Sequence, residues 1–389
     1  MEQIRSKIEA RRWSMKVIIS PDSFKGTISS VEAAATIEKA LKQIDPNIET
    51  VCLPVADGGE GTLEAFVSAT NGRYYTAKVL DPLGREIEAR YGVLGDQKTC
   101  VIEMAQASGI TLLSKMELNP LKATTYGTGQ LIEHALTQGY RQFIIGIGGS
   151  ATNDGGLGML HALGVTFLDQ NGQPLPNEVS SLEKLHTIDT SAMNPLIAES
   201  TFTIACDVDN PFVGESGATA IFGPQKGVKQ EQIQQFDYYL RCFANVIERQ
   251  LHIRLHDYPG AGAAGGVGGA LKAFFPATFK TGIDVVLEAL NYDEHLRNAN
   301  YVITGEGKSD IQTLSGKAPM GIAQKAKHYN VPTILLSGVV DGEAKEQLNT
   351  MFKGVFSVVG EDISETQSFN NPKKCLEERA FKCFDTLFN

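Results

Sequence analysis

Between Gly146 and Gly158 the chain reads GIGGSATNDGGLG, in which six glycines surround Ser150, Thr152, Asn153 and Asp154. An apolar run, Phe143 to Ile147, precedes this stretch and a helical run, Leu157 to Leu163, follows it. Strand, glycine-rich loop and helix in that order let backbone N–H groups approach an anion, with the positive end of the helix behind them. Phosphate is the natural occupant, and Gly148, Gly149, Ser150, Thr152, Asn153 and Gly155 are the expected cradle. Asp154 would repel phosphate unless a metal ion lay between them, which makes it a candidate metal ligand.

The same texture recurs. PVADGGEGT sets Asp57 and Glu60 among Gly58, Gly59 and Gly61, between an expected strand at Ile48 to Val55 and a helix from Leu63. After the short apolar run Lys16 to Ser20 comes PDSFKGTISS, with Asp22, Ser23 and Lys25 as site candidates. After Tyr301 to Thr304 comes GEGKSD, with Gly305, Glu306 and Gly307. Asp207, Asp209 and Asn210 crowd another strand end, and GPQKG carries Lys226. Backbone donors for phosphate oxygens, carboxylates for Mg²⁺ and lysines to offset developing charge form the mixture that phosphoryl transfer needs. The residues alone therefore point to an ATP- and Mg²⁺-dependent small-molecule kinase.

Other chemistries compete for these loops. Gly146, Gly148 and Ala151 satisfy the dinucleotide pattern GxGxx[GA], and Asp169 follows at about the spacing of a ribose-binding carboxylate. The loop nevertheless runs on through Asn153 to Gly156, beyond where a dinucleotide-binding helix would start. Gly307, Lys308 and Ser309 match the tail of a P-loop, but position 302 is valine. A serine lies among glycines at Ser150, yet none of the seven histidines falls in a glycine loop to serve as a hydrolase base. Gly260, Gly262 and Gly265 repeat the GxGxxG spacing without a preceding apolar strand, so close helix packing or a hinge is expected there.

The elements that must position these loops alternate strand and helix at both ends of the chain. Ser29 and Glu32 form a capping-box pattern that predicts a helix from about Ser30. From Arg73 the pattern changes to alternating runs, Arg73 to Leu80, Glu86 to Leu94 and Thr99 to Glu103, separated by DPLG and GDQ turns. The expected organisation is α/β: a discontinuous doubly wound parallel-sheet domain over 15–74 and 296–389, an inserted mixed-sheet α/β domain over 75–295, and an N-terminal extension over 1–14. A length of 389 residues accommodates two cores, and 39 glycines imply many tight loops. A net charge of −10 argues against broad nucleic-acid or anionic-membrane surfaces. No apolar run reaches the length of a membrane span, and the six scattered cysteines suit a reducing cytoplasm.

Taken in order, SPDSFKGTISS, PVADGGEGT, TTYGTG, GIGGSATNDGGLG, GPQKG and ITGEGKSDIQTLSGKAP resemble the bacterial type I glycerate kinase family across nearly the whole chain from Met15. The resemblance implies two α/β domains, one discontinuous and flavodoxin-like, with the active site in the cleft between them. It implies ATP-dependent phosphorylation of D-glycerate, at the 2-hydroxyl in preference to the 3-hydroxyl; a cytoplasmic monomer or homodimer is expected. Under that reading Asp22, Asp57 or Asp207 would accept the hydroxyl proton. Lys25, Lys317 and Lys226 would neutralise the glycerate carboxylate and the moving phosphoryl group, with Ser23, Gly58 and Gly59 beside the substrate. The Gly148 to Gly155 loop, with Gly305 and Gly307, would hold nucleotide phosphates, and Asp154 or Glu306 a magnesium ion. The alternative is an NAD-dependent hydroxyacid dehydrogenase built on Gly146, Gly148 and Ala151.

Overall fold

A computed structural model describes residues 15–56, 59 and 61–388; the extension 1–14, Asp57, Gly58 and Glu60 lie outside the described residues. Within it, residues 15–56, 64–71 and 283–388 form one compact unit, and 59, 61–63 and 72–282 form a second.

The first unit is organised on five parallel strands. Lys16–Pro21 lies between Glu49–Cys52 and Tyr301–Gly305, and Thr333–Ser337 and Gly354–Ser357 extend the sheet beyond Tyr301–Gly305. Alternating side chains feed two cores, because successive Cβ atoms point to opposite faces of a sheet. Val17, Ile19, Ile303, Ile334 and Leu336 pack against Ile37 and Leu41 of helix Ser30–Ile44 and Leu376 and Phe384 of helix Pro372–Phe388. On the other face Leu335 meets Ala323 of helix Ala318–His328 and Leu348 of helix Gly342–Met351. Helix Ser30–Ile44 starts where the sequence predicts: the Ser29 hydroxyl accepts from the Glu32 N–H, and the Glu32 carboxylate accepts from the Ser29 N–H.

Counted in chain order, this unit's strands run 2-1-3-4-5 across the sheet, the flavodoxin-like arrangement. The direction of winding reverses between its first and third strands, so the loops leaving their carboxyl ends, after Pro21 and Gly305, lie where such sheets form a ligand crevice. Glycines let the loops around it close up. A Cβ on Gly305 would stand 1.8 Å from the Leu336 carbonyl oxygen, and one on Gly338 would stand 2.5 Å from the Gly307 carbonyl oxygen.

The second unit carries a six-stranded mixed sheet in the order Ala277–Lys280, Thr201–Ala205, Gln142–Gly146, Thr99–Glu103, Glu86–Val93, Arg73–Leu80. The first four are parallel and the last two antiparallel, as the alternating runs after Gly72 predict. At the DPLG turn, Asp81 Oδ1 accepts from the N–H groups of Leu83 and Arg85. The TTYGTG stretch opens helix Tyr126–Thr137, which ends before Gly139 at φ 95°. Its glycines are contact points: a Cβ on Gly127 would lie 1.8 Å from the Leu80 carbonyl oxygen, and one on Gly129 would lie 2.4 Å from that of Met159.

Gly127→Ala therefore forces helix Tyr126–Thr137 off the strand it leans on. We expect a loss of about 1–3 kcal/mol or more, the usual cost of overpacking where backbone must move. The midpoint of thermal unfolding reads this, and an unshifted midpoint would mean that the close backbone contact is absent.

Candidate active site

At the carboxyl ends of the first unit's strands lies a cavity of about 450 Å³. The loop after Lys16–Pro21 contributes Asp22, Ser23 and Lys25 to its wall, and the loop after Tyr301–Gly305 contributes Glu306, Gly307 and Asp310. Asp22 is held in place from both sides: its N–H donates to the Gly305 carbonyl at 2.8 Å, and its Oδ1 accepts from the Ser23 N–H at 2.6 Å. Glu306 is buried, and its Oε1 accepts from the hydroxyls of Ser309 (2.9 Å) and Thr313 (2.7 Å). Lys317, just before helix Ala318–His328, puts its Nζ 3.7 Å from Glu306 Oε2 and 3.7 Å from Asp310 Oδ1. Three lysines, Lys25, Lys308 and Lys317, and four carboxylates, Asp22, Glu306, Asp310 and Glu365, thus line the cavity. Lys308 and Ser309 pair with Val339 and Val340 as a short parallel bridge, so the P-loop tail sits in a strand followed by a 3-10 turn, Ile311–Ser315, and does not open an α-helix as a P-loop would.

The glycine loop of the second unit is a packed structure. Residues 151–160 are buried, whereas Gly148 is half-buried and Gly149 exposed. Asp154 is 2 % exposed; its Oδ2 accepts from Thr125 N (2.9 Å), Thr125 Oγ1 (2.8 Å) and Gly158 N (3.2 Å), and its Oδ1 accepts from Gly156 N (3.1 Å). Burial raises its pKa, and those four donors oppose the shift. Both of its oxygens accept from loop donors, so Asp154 braces the backbone of the loop. Gly155 N–H donates to the Gly265 carbonyl at 2.9 Å, and Ala151 N–H to that of Ser108. Asn153 donates through Nδ2 to Thr219 Oγ1 at 2.9 Å.

Lys226 is also buried, with Nζ donating to Ser150 Oγ at 2.6 Å and to the Thr152 carbonyl at 2.7 Å. Burial lowers its pKa to about 7, against the pull of the Asp154 charge. The Gly260 to Gly269 run packs against the same loop. Ala264, Gly265 and Gly266 take left-handed backbone conformations, and a Cβ on Gly265 would stand 2.1 Å from the Thr152 carbonyl oxygen.

Residues 17–387 match the family model described as the glycerate kinase family. A glycerate kinase of Halalkalibacterium halodurans is 45% identical over 94% of this chain and 96% of its own. A glycerate 2-kinase of Escherichia coli K12 is 46% identical over 89% of this chain and 91% of its own. The crystal structure of a glycerate kinase 2 from Salmonella typhimurium LT2 superposes with a TM-score of 0.87 at 42% identity, covering 96% of this chain and 98% of that one.

The chain belongs to the glycerate kinase family. Membership makes it a phosphotransferase acting on an alcohol group, and the dehydrogenase alternative finds no support. Asp169, the carboxylate that reading needs, is a turn former whose Oδ1 accepts from the N–H groups of Asn171 (2.8 Å) and Gln173 (2.9 Å).

Of the residues expected to serve a glycerate kinase, Asp22, Ser23, Lys25, Glu306, Gly307 and Lys317 line one cavity. Ser150, Thr152 and Lys226 are joined by hydrogen bonds inside the second unit. Gly59 accepts from the Thr62 hydroxyl at 2.7 Å at the start of helix Thr62–Ala69, and exposed Asp207 accepts through Oδ1 from Gly282 N–H at 2.8 Å. Asp57 and Gly58 lie outside the described residues. Sequence reasoning missed the hydroxyls of Ser309 and Thr313 that orient Glu306, although GEGKSDIQT carries both within seven residues of it. It also missed the apolar part of the cavity wall, Val358, Phe369 and Leu376 among it, which no motif marks.

The buried lysine gives the family member a pH signature. Lys226 titrates near 7 in the folded chain and near its ordinary 10.5 when unfolded, so the unfolded chain binds more protons between those values. Stability then rises as pH climbs from about 7 towards 10, and the burial cost is fully present below 7. Lys226→Met should abolish that slope relative to the wild type in a pH series of unfolding midpoints. Parallel profiles for the two proteins would show that Lys226 does not titrate there.

Proposed function

We propose that the protein phosphorylates D-glycerate with ATP, at the 2-hydroxyl, to give 2-phosphoglycerate and ADP. One observation carries this reading: Asp22, Lys25, Glu306, Asp310 and Lys317 line a single cavity at the switch point of a doubly wound sheet, where such folds take their ligands. The preference for the 2-hydroxyl draws support from the name of the Escherichia coli relative.

In this mechanism the glycerate oxygen forms a bond to the γ-phosphorus while the bond from that phosphorus to the β,γ-bridging oxygen breaks. ADP leaves with the bridging oxygen. The hydroxyl proton goes to Asp22, whose hold on the Gly305 carbonyl and the Ser23 N–H fixes its carboxylate before substrate arrives. Lys25 and Lys317 offset charge on the glycerate carboxylate and on the transferred group, the main demand of a loose phosphoryl-transfer transition state. Among the described residues no group of three or more His, Cys, Asp or Glu side chains could hold a metal ion by itself. Glu306 and Asp310 suit an ion that shares its coordination with phosphates, as Mg²⁺ does when bound through one or two carboxylates. Bound there, Mg²⁺ would supply charge neutralisation at the phosphate oxygens.

A coupled assay of ADP release tests the reading, with the product identified by NMR. Release should require D-glycerate, ATP and Mg²⁺ together, and the phosphorus coupling should report oxygen 2. Asp22→Asn should lower kcat by about 10²- to 10⁴-fold, the range for loss of a general base. A variant with undiminished kcat would remove Asp22 from that role, and a folded protein releasing no ADP would overturn the activity.

A further inference from the structure

We infer that the cavity of the first unit is the adenine-nucleotide site, with the base over the apolar side of its wall and the phosphates over the polar side. The inference rests on the kinase reading above and assigns one of its two substrates to a place. At about 450 Å³ the cavity is within the range of cofactor-sized pockets and is far larger than a three-carbon hydroxy acid fills.

Its wall is divided by the topology of the sheet. Most of the charged side chains, Asp22, Lys25, Glu306 and Asp310 among them, come from loops after the first and third strands of the unit, where Phe24 and Ile28 add apolar surface. Beyond the fourth and fifth strands apolar side chains predominate, with Glu365 and Ser368 beside them: Val339 follows Thr333–Ser337, Val358 and Val359 follow Gly354–Ser357, and Phe369 and Leu376 lie further on. The 2-1-3-4-5 order sets these sources side by side along the sheet edge. Glycerate has no apolar surface for such a wall, whereas a purine has two faces of it.

Phe369 is the second observation. It lines the cavity yet is 66% exposed, on a six-residue helix, Glu365–Asn370, anchored by a capping box between Ser364 and Gln367. A large aromatic left uncovered beside a cavity is what base stacking uses.

The glycine loop of the second unit, the other candidate for nucleotide phosphates, is poorly placed to donate. The N–H groups of Ala151, Gly155, Gly156 and Gly158 already donate within the protein, and residues 151–160 are buried. Only its Gly148–Gly149 end reaches the surface.

Photolysis of the intact chain with 8-azido-ATP and Mg²⁺, followed by peptide mapping, tests the placement. Label should fall within residues 338–376 and be suppressed by ATP but not by D-glycerate. Label on residues 146–158, or protection by D-glycerate alone, would overturn it. Two variants give an independent reading by calorimetric titration with ADP and by steady-state kinetics. Phe369→Ala should weaken ADP about five-fold or more, as loss of a base-stacking ring does. Ser368→Trp, which fills the cavity from a half-buried position, should abolish ADP binding. In Phe369→Ala the KM for ATP should rise while the KM for D-glycerate stays put. Unchanged ADP affinity in both folded variants, with ADP release intact in the wild type, would refute the site and spare the kinase reading. No ADP release from the wild type would refute both.

Discussion

The buried carboxylate of Asp154 is the constraint on which the second unit depends. A carboxylate removed from water is tolerated only when its lone pairs are taken up, and here three residues supply four donors, Thr125 twice, Gly156 and Gly158. Those donors belong to the starts of two helices, Tyr126–Thr137 and Leu157–Ala162, so satisfying one side chain fixes both helices at their N-terminal ends. The helices can come that close only because Gly129 and Gly158 present no side chain: a Cβ on Gly158 would stand 2.1 Å from Thr124 Oγ1. Thr125 completes the joint by accepting from Met159 N–H at 2.9 Å. Lys226 and the left-handed run at Ala264 to Gly266 then close the loop from other sides.

A different economy governs the first unit, where side chains at the strand ends are left facing a cavity. Parallel strands buried on both faces give a rigid platform, with Val17, Ile18, Ile19 and Ile303 wholly enclosed. Groups carried on the ends of such strands are positioned more narrowly than groups on long loops, and phosphoryl transfer gains most from position and field. The hydrogen bond from Ser309 Oγ to Glu306, itself linked to Ser337 Oγ at 2.7 Å, shows how the neighbouring strand stiffens the carboxylate.

Much of this architecture was legible in the sequence. The capping box at Ser29, the DPLG turn and the change from helix-strand alternation to strand-strand alternation after Gly72 are local signals with local causes, and local structure follows them. The loop at Gly146 to Gly158 was legible as strand, loop and helix but not in its surroundings. A glycine-rich stretch has the same composition whether its N–H groups face a ligand or another backbone, and here much of that choice was made by Gly265, over a hundred residues away. Asp154 illustrates the same ambiguity, since a carboxylate among glycines can serve a metal ion or the loop itself. The apolar wall was illegible for another reason: Val358, Phe369 and Leu376 meet across a cavity without any spacing that periodicity could detect.

The two units therefore use the same vocabulary, carboxylates and lysines among glycines, for opposite physical ends. Enclosure decides between them. Lys226, 1% exposed and held by Ser150 and Thr152, loses its charge preference to desolvation and serves geometry. Lys317, 37% exposed at its side chain and 3.7 Å from two carboxylates, stands at a distance where an arriving phosphate oxygen can compete for it. A cation that must track charge during a reaction needs partners loose enough to be exchanged, whereas one that shapes a loop needs partners that cannot leave. That difference in contact length and burial, more than residue type, separates the lysine open to an arriving anion from the one enclosed by a loop in this chain.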